Sequence, residues 1–323
     1  MVKDLFSRKE SKDYIKKNVV DWFECPITPM TSDFKLDEAG IQENIDAYAD
    51  MNENGLVMGG FIAEAWNLNL SEWMRYHELV AKANNGRMHL STIILDPGVH
   101  QAIEKMKFVE KLGYTMAEVI NPIVQLRSDD EVYNFYKYMT DNTDLPIILY
   151  RTAVSGKVLS LDLIKKLSEI DTIVGVKMGT LNPTDITALR QMVPDNFVVA
   201  NPDEYWWLHD LRTGGQVLWG GFSHIVYGKK RVVLEEYTKL AREGRWEEAR
   251  VKWESLQPVR DLMGKVFMAN IVKTASYATA TYHIKIWFEA LGLKAGPMLP
   301  PVQPISNSEK EWLKSELKNI GVI

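Results

Sequence analysis

The sequence predicts an α/β fold, a (β/α)8 TIM barrel with a C-terminal helical extension, and three observations predict it. Short β-rich runs alternate with helical patterns across most of the chain. Strands that alternate with helices pair in parallel, because each crossover returns the chain to the same edge of the sheet. Eight such units fit within about 230 residues, close to the roughly 250 typical of a closed barrel. An open doubly wound sheet would advertise a Gly-rich turn after its first strand, and none follows WFECPIT at residues 22–28.

The elements follow in order. After a charged N-terminal segment, residues 22–28 read as strand one. Residues 36–51 are amphipathic, with Ile41, Ile45 and Tyr48 on one face. GLVMGG at 55–60 is strand two, and Ser71 reads as the N-cap of the helix EWMRYHELVAKA. Strand three spans 89–95, with a helix over 99–112. Strand four spans 115–121, with a helix over 131–140. Strand five, LPIILY, spans 145–150, with a helix over 161–170. Strand six, TIVGVKM, spans 172–178, with a helix over 184–192. Strand seven spans 196–200, with a helix over 204–211, and GQVLWG at 215–220 is strand eight. From residue 228 to 293 the pattern is helical, without strand signals. The expected organisation is an N-terminal extension over 1–20, the barrel over 21–227 and a helical region over 228–323.

Composition removes several function classes. Lys and Arg number 38 against 43 Asp and Glu, a net charge of -5, which gives no electrostatic footprint for nucleic acid or an anionic membrane. A single cysteine, Cys25, excludes an internal disulfide framework and a cysteine-cluster metal site. The histidines His77, His89, His100, His209, His224 and His283 form no HxH or HExxH pattern, so no metal is expected. Nucleophile-elbow and Walker motifs are absent. The N-terminus lacks a secretory apolar stretch, and the longest apolar runs, such as 146–150, are too short to span a bilayer. The expectation is a soluble cytoplasmic protein acting on small molecules.

In a barrel, catalytic side chains sit at the C-terminal ends of strands and in the loops that follow. Lys177 ends strand six. Lysine is rarely buried, and an apolar central strand is an odd place for a solvated one. Desolvation disfavours the ammonium and makes the amine a nucleophile toward carbonyls. The competing reading is a lysine that caps its strand and reaches solvent or a carboxylate. Tyr150 ends the preceding strand, so its phenol faces Lys177 across a narrow gap and is placed to shuttle protons. Gly59 and Gly60 end strand two, and Gly220 and Gly221 end strand eight. Such glycines either let backbone N–H groups approach a substrate carboxylate or serve only as turns. Asp203 and Glu204 either bind hydroxyls or cap the next helix. Arg151 pairs either with a substrate carboxylate or with a surface acid.

With Lys177 and Tyr150 placed, the chain resembles the dihydrodipicolinate synthase / N-acetylneuraminate lyase superfamily over nearly its whole length. The carriers are PITPM at 26–30, GGFIAEAWNLNLSEW at 59–73, ILYRTA at 148–153, VGVKMGT at 174–180 and the helical C-terminus. The tail LKAGPMLPPV, the WGG ending strand eight and the N-terminal extension look most like the hydratase-aldolases, which act on aryl-substituted benzylidenepyruvates. The resemblance implies a barrel with a helical C-terminal domain, commonly a homotetramer, and Schiff-base chemistry on a 2-oxo acid, usually pyruvate, with an aldehyde as the second partner and no cofactor. It would make Lys177 the Schiff-base lysine and Tyr150 the proton relay. It would put Gly60, Phe61 and Ile62 at the carboxylate-binding turn, and Trp219 and His283 opposite the aryl end of the substrate. Asp203 and Glu204 fall where the sialic acid lyases contact the distal part of theirs.

The chain departs from the family at three points. The strand-two turn reads Gly-Phe-Ile-Ala-Glu at 60–64, where the family offers threonine hydroxyls in Gly-Thr-Thr-Gly-Glu. Ala153 replaces the usual proline three residues after the tyrosine. INPIVQ at 120–125 carries no counterpart of the tyrosine that synthase subunits lend one another. These losses argue against dihydrodipicolinate synthase itself and leave the Schiff-base core intact. Two alternatives stand beside the hydratase-aldolase reading. One is an aldolase or dehydratase of 2-keto-3-deoxy sugar acids, with Asp203 and Glu204 on hydroxyls where Tyr205, Trp206, Trp207 and Trp219 would favour an aryl group. The other is a non-catalytic barrel that binds 2-oxo acids.

Overall fold

Apolar runs too short for helices, each bounded by turn residues, form eight parallel strands. The computed structural model describes residues 5–122, 125–180, 182–274 and 276–323. Residues 1–4 of the N-terminal extension and residues 123 and 124 of INPIVQ lie outside the described residues. The strands are β1 (Asp21–Glu24), β2 (Gly55–Met58), β3 (His89–Ile94), β4 (Met116–Val119), β5 (Ile147–Arg151), β6 (Ile173–Met178), β7 (Val198–Ala200) and β8 (Val217–Gly221). The order around the sheet is β7-β6-β5-β4-β3-β2-β1-β8. A parallel bridge from Asn201 to Leu218 brings β8 beside the end of β7. The result is a nearly closed (β/α)8 barrel with C-terminal helices, the fold class that the alternation predicts.

The strands form where expected and mostly shorter, for local reasons, while β1 starts and β5 and β8 end one residue beyond the expected bounds. Pro26 offers no ladder N–H, and β1 stops at Glu24. Pro146 likewise leaves β5 to begin at Ile147. Gly59, at φ +70°, turns the chain out of β2.

Between the strands run α2 (Glu38–Asp50), α3 (Leu70–Asn84), α4 (Val99–Lys111), α5 (Asp129–Asn142), α6 (Leu161–Leu167), α7 (Pro183–Met192) and α8 (Glu204–Arg212), after an N-terminal α1 (Ser11–Asn18). Ile41, Ile45 and Tyr48 are buried together on α2, as their spacing predicts. One cap differs from expectation. Asn69, not Ser71, is the N-cap of α3: its side chain accepts from Glu72 N while Glu72 accepts from Asn69 N, which satisfies two otherwise orphaned donors. The Ser71 hydroxyl only reinforces the cap, donating to Asn69 Oδ1 at 2.6 Å.

The chain divides into two compact units. One comprises Met1–Phe23, Asn54–Met58 and Gly86–Gly221, and holds the barrel sheet except for Glu24. Its α1 does not stand out in the sequence, because long-range polar bonds hold it. Arg8 donates to Asp144 and to the Thr140 carbonyl, Ser11 to the Asp171 carbonyl, and Gln216 to the Val19 carbonyl. Asp144, Asp171 and Gln216 precede β5, β6 and β8, so these bonds anchor the N-terminal segment at the strand starts, away from the end where barrel chemistry occurs.

The other unit comprises Glu24–Glu53, Gly59–Asn85 and Phe222–Ile323. It carries α2, α3 and the turn after β2. It then adds α9 (Ser223–Val226), α10 (Arg231–Arg242), α11 (Trp246–Glu254), α12 (Gln257–Met263), a π-helical turn at Gly264–Met268, α13 (Ala269–Thr274), α14 (Tyr277–Ala290) and α15 (Asn307–Asn319). The Asn44 amide exchanges hydrogen bonds with the Lys294 backbone, which ties the tail to α2. Among the described residues no helix is long and apolar enough to cross a membrane.

Candidate active site

β6 is buried along its whole length, and only 5% of Lys177 is exposed. Gly175 allows the close packing of β6 on β7, since a β-carbon there would lie 2.6 Å from the Val198 carbonyl oxygen. Tyr150 of β5 is the register partner of Lys177. The lysine Nζ lies 4.4 Å from the centroid of the Tyr150 ring, where the negative π face attracts a cation. Gly179 follows Met178 and leaves room for that ring; its β-carbon would lie 2.5 Å from Tyr150 Cε2.

Two acceptors converge on Nζ. The Gly220 carbonyl is 3.3 Å away and Glu118 Oε1 is 3.5 Å away. Glu118 sits on β4, fully buried, and its other oxygen accepts from Trp219 Nε1 at 2.5 Å. The Trp219 indole is fully buried and stacks on Phe23 with ring centroids 4.9 Å apart. Burial pushes the Glu118 carboxyl above the usual carboxylate range, while the Lys177 charge and the Trp219 N–H pull it back. At 3.5 Å the attraction of the ion pair is about 5 kcal/mol for an effective dielectric near 20. Desolvating each ion costs several kcal/mol. The attraction within the pair and the cost of burying it therefore oppose one another.

Sequence reasoning missed Glu118. The signal was present: an acid in the middle of MAEV is as out of place in a buried strand as Lys177 is in VGVKM.

The remaining expected residues have defined tasks. Arg151 donates to the Leu159 carbonyl and to Thr180 Oγ1, and pairs with Asp185 at 2.9 Å, so the pairing with an acid is the one that forms. Asp203 caps α8, accepting from Tyr205 N. Glu204, the first residue of α8, is 2% exposed. Trp219 braces Glu118 from within the barrel wall, through its N–H, while its ring stacks on Phe23. Gly221 passes close to the Pro202 carbonyl, 2.8 Å from where a β-carbon would sit.

Gly60, Phe61, Ile62 and His283 belong to the other unit. The turn is braced by Ala63 N on the Gly60 carbonyl and by Glu64 N and Trp66 Nε1 on the Phe61 carbonyl. The Phe61 ring stacks on Tyr277, and Ile62 is buried. His283 is buried on α14, with Nε2 2.8 Å from Glu309 Oε1 and Nδ1 3.0 Å from the Thr279 carbonyl. Both ring nitrogens thus have partners within the helical unit. The turn's Glu64, at φ +56°, is fully buried and pairs with the fully buried Lys285 at 2.8 Å.

Comparison with known proteins follows the same line. The model of the dihydrodipicolinate synthetase family matches residues 19–320. A 4-hydroxy-tetrahydrodipicolinate synthase of Archaeoglobus fulgidus is 26% identical over 298 residues, 92% of this chain and 96% of its own. A crystal structure of a putative dihydrodipicolinate synthetase from Pseudomonas aeruginosa superposes with a TM-score of 0.82 at 20% identity, covering 94% of this chain and 99% of that one. YagE of Escherichia coli K12, a prophage protein of the dihydrodipicolinic acid synthase family solved with pyruvate, gives a TM-score of 0.81 at 20% identity, with 94% and 99% covered. At such identities the structural likeness establishes the fold.

Proposed function

The chain belongs to the dihydrodipicolinate synthetase family, and from that membership we propose that it is a class I lyase that forms or uses pyruvate through a Schiff base on Lys177. The observation that carries the reading is Lys177 itself. It is an almost fully buried amine on a central strand, seated on the ring of Tyr150 with two acceptors at Nζ.

A neutral Lys177 attacks the ketone carbon of a 2-oxo acid, and water leaves to give an iminium. The iminium withdraws electrons and stabilises negative charge at the neighbouring carbon. The enamine so formed attacks an aldehyde or is released by retro-aldol cleavage. Tyr150 removes the aldol hydroxyl proton on cleavage and returns it in the reverse direction. The same iminium supports addition or loss of water one carbon further out. Gly60, Phe61 and Ile62 are kept for the substrate carboxylate on the strength of their place in the sequence motif.

Within this class we favour a hydratase-aldolase acting on a bulky or aromatic 2-oxo acid. The sugar-acid reading puts Asp203 and Glu204 on hydroxyls, and Asp203 Oδ1 is engaged in its helix cap while Glu204 is 2% exposed. The test is incubation with pyruvate and borohydride, followed by mapping of the adduct. A reduced pyruvyl group on Lys177 is the expected result. Side-by-side turnover of an aryl and a polyol 2-oxo acid then fixes the substrate class. Full turnover by Lys177→Ala would refute the mechanism.

A further inference from the structure

We propose that Glu118 is a second catalytic group: it accepts the ammonium proton of Lys177 on Oε1 and returns it when the carbinolamine loses water. The inference rests on the Schiff-base reading of Lys177 and gives the site a proton store that the sequence reading did not contain.

The geometry assigns the proton to one atom. Trp219 Nε1–H is a donor only, and it occupies Glu118 Oε2. That oxygen therefore stays an acceptor in either state of the carboxyl. The free proton position is Oε1, the oxygen that faces Nζ. The Gly220 carbonyl, the other acceptor on Nζ, cannot take a proton near neutral pH. Tyr150 presents its ring to Nζ. Among the described residues, Glu118 is thus placed to exchange a proton with it directly.

The steps balance. The resting pair is ammonium and carboxylate. One proton passes from Nζ to Oε1, leaving a neutral amine and a carboxylic acid. The amine adds to the ketone carbon, and the N–H proton released on addition protonates the carbonyl oxygen, giving the carbinolamine. The Oε1 proton then goes to the carbinolamine hydroxyl as the C–O bond breaks and water departs. The products are the iminium and the Glu118 carboxylate. Charge in the buried pair sums to zero at the start, in the neutral intermediate and at the end, so no uncompensated ion is left inside the barrel.

Two measurements on Glu118→Gln test this. The first needs no substrate: the pH dependence of Lys177 carbamylation by cyanate, read by mass spectrometry. Loss of the carboxylate should move its midpoint down by about one pH unit or more. The second is the rate of borohydride trapping with pyruvate, which should fall about 100-fold despite the more available amine and should not recover at higher pH. Glu118→Asp, which keeps the acid, should restore part of the rate. An unmoved cyanate midpoint, or trapping within about threefold of wild type, overturns the proposal; a carboxylate that only pairs with the lysine moves the midpoint but leaves trapping intact once the amine is neutral. If wild type traps no 2-oxo acid, the underlying reading fails and the proposal with it; the cyanate midpoint then tells whether the proton-sharing pair itself was also misread.

Discussion

Gly220 and Lys177 approach so closely that a β-carbon at Gly220 would fall 2.6 Å from Lys177 Nζ, and Gly220 itself sits at φ +65°. The glycine of WGG therefore does two things. It adopts a left-handed backbone without penalty, and it lets its carbonyl reach the amine. Gly220→Ala should misplace Nζ, and a displacement of about 1 Å costs on the order of 100-fold in rate. Left-handed strain adds about 1–2 kcal/mol of destabilisation. Trapping with pyruvate and a thermal melt would register the two effects separately. Wild-type trapping by the alanine variant would show that the close approach is incidental.

Tyr150 offers Lys177 both a ring and a hydroxyl, and the two can be separated. Tyr150→Phe keeps the π face under Nζ, so the iminium with pyruvate should still form and be trapped. Carbon–carbon turnover should fall by about 10²–10⁴-fold, the usual contribution of a positioned proton carrier. Equal loss of trapping and turnover would assign the hydroxyl to imine formation instead of the aldol step.

The barrel and the lysine were legible for the same reason: both show against continuous apolar strand runs. Alternation of apolar runs with helices signals parallel crossovers, and a charged residue inside such a run signals a site. Glu118 obeys the second rule as clearly as Lys177 does. What no pattern reports is that Trp219, about a hundred residues further along and across the ring, holds its far oxygen. Asp203 meets its partner two residues along the chain at Tyr205, and Arg151 meets Leu159 nearby as well as Thr180 and Asp185 beyond β6. A polar side chain beside a strand end with a cap or loop carbonyl within reach satisfies itself before it serves a ligand. α1 was hidden because its hold on the barrel is polar and distant, so its own sequence shows little of an apolar face.

His224 makes the stability of the helical unit fall as pH rises. Its imidazole is buried between Glu53 at 2.6 Å and Glu235 at 2.9 Å, with Glu24 on its backbone N–H and Arg231 beside Glu53 and Glu235. Burial opposes the charge, but the carboxylates win and lift His224 to about 9. Burial and Glu53 raise Glu24 to about 8. Both groups bind more protons folded than unfolded. Their contribution is full below the unfolded values and is lost as pH passes through about 8 to 9. Each excess proton is worth about 1.4 kcal/mol per pH unit in that window. The thermal midpoint should drop between pH 6.5 and 9, and the slope should lessen in Glu24→Gln. A flat profile would show that the network does not exchange protons on folding.

Glu64 and Lys285 form a pair with no exposed surface, and they join three pieces of chain. Glu64 ends the turn after β2. Lys285 stands on α14 and also donates to the Pro297 carbonyl, while the second Glu64 oxygen accepts from Leu299 N. Removing one partner leaves the other buried without its counter-charge, a loss of about 3–5 kcal/mol. Burial holds the Lys285 amine below its usual range even with Glu64 beside it, so a lone lysine there would give up its proton and soften part of that cost. Glu64→Gln should therefore cost less than Lys285→Met, because an orphaned carboxylate keeps the Leu299 N–H as a partner but loses its counter-charge. The double variant should be more stable than the sum of the single losses by about 2 kcal/mol, within the range measured for coupled neighbours. Urea unfolding of the four proteins decides it. Additive losses would mean that the turn and the tail are held by packing, with the charges as passengers.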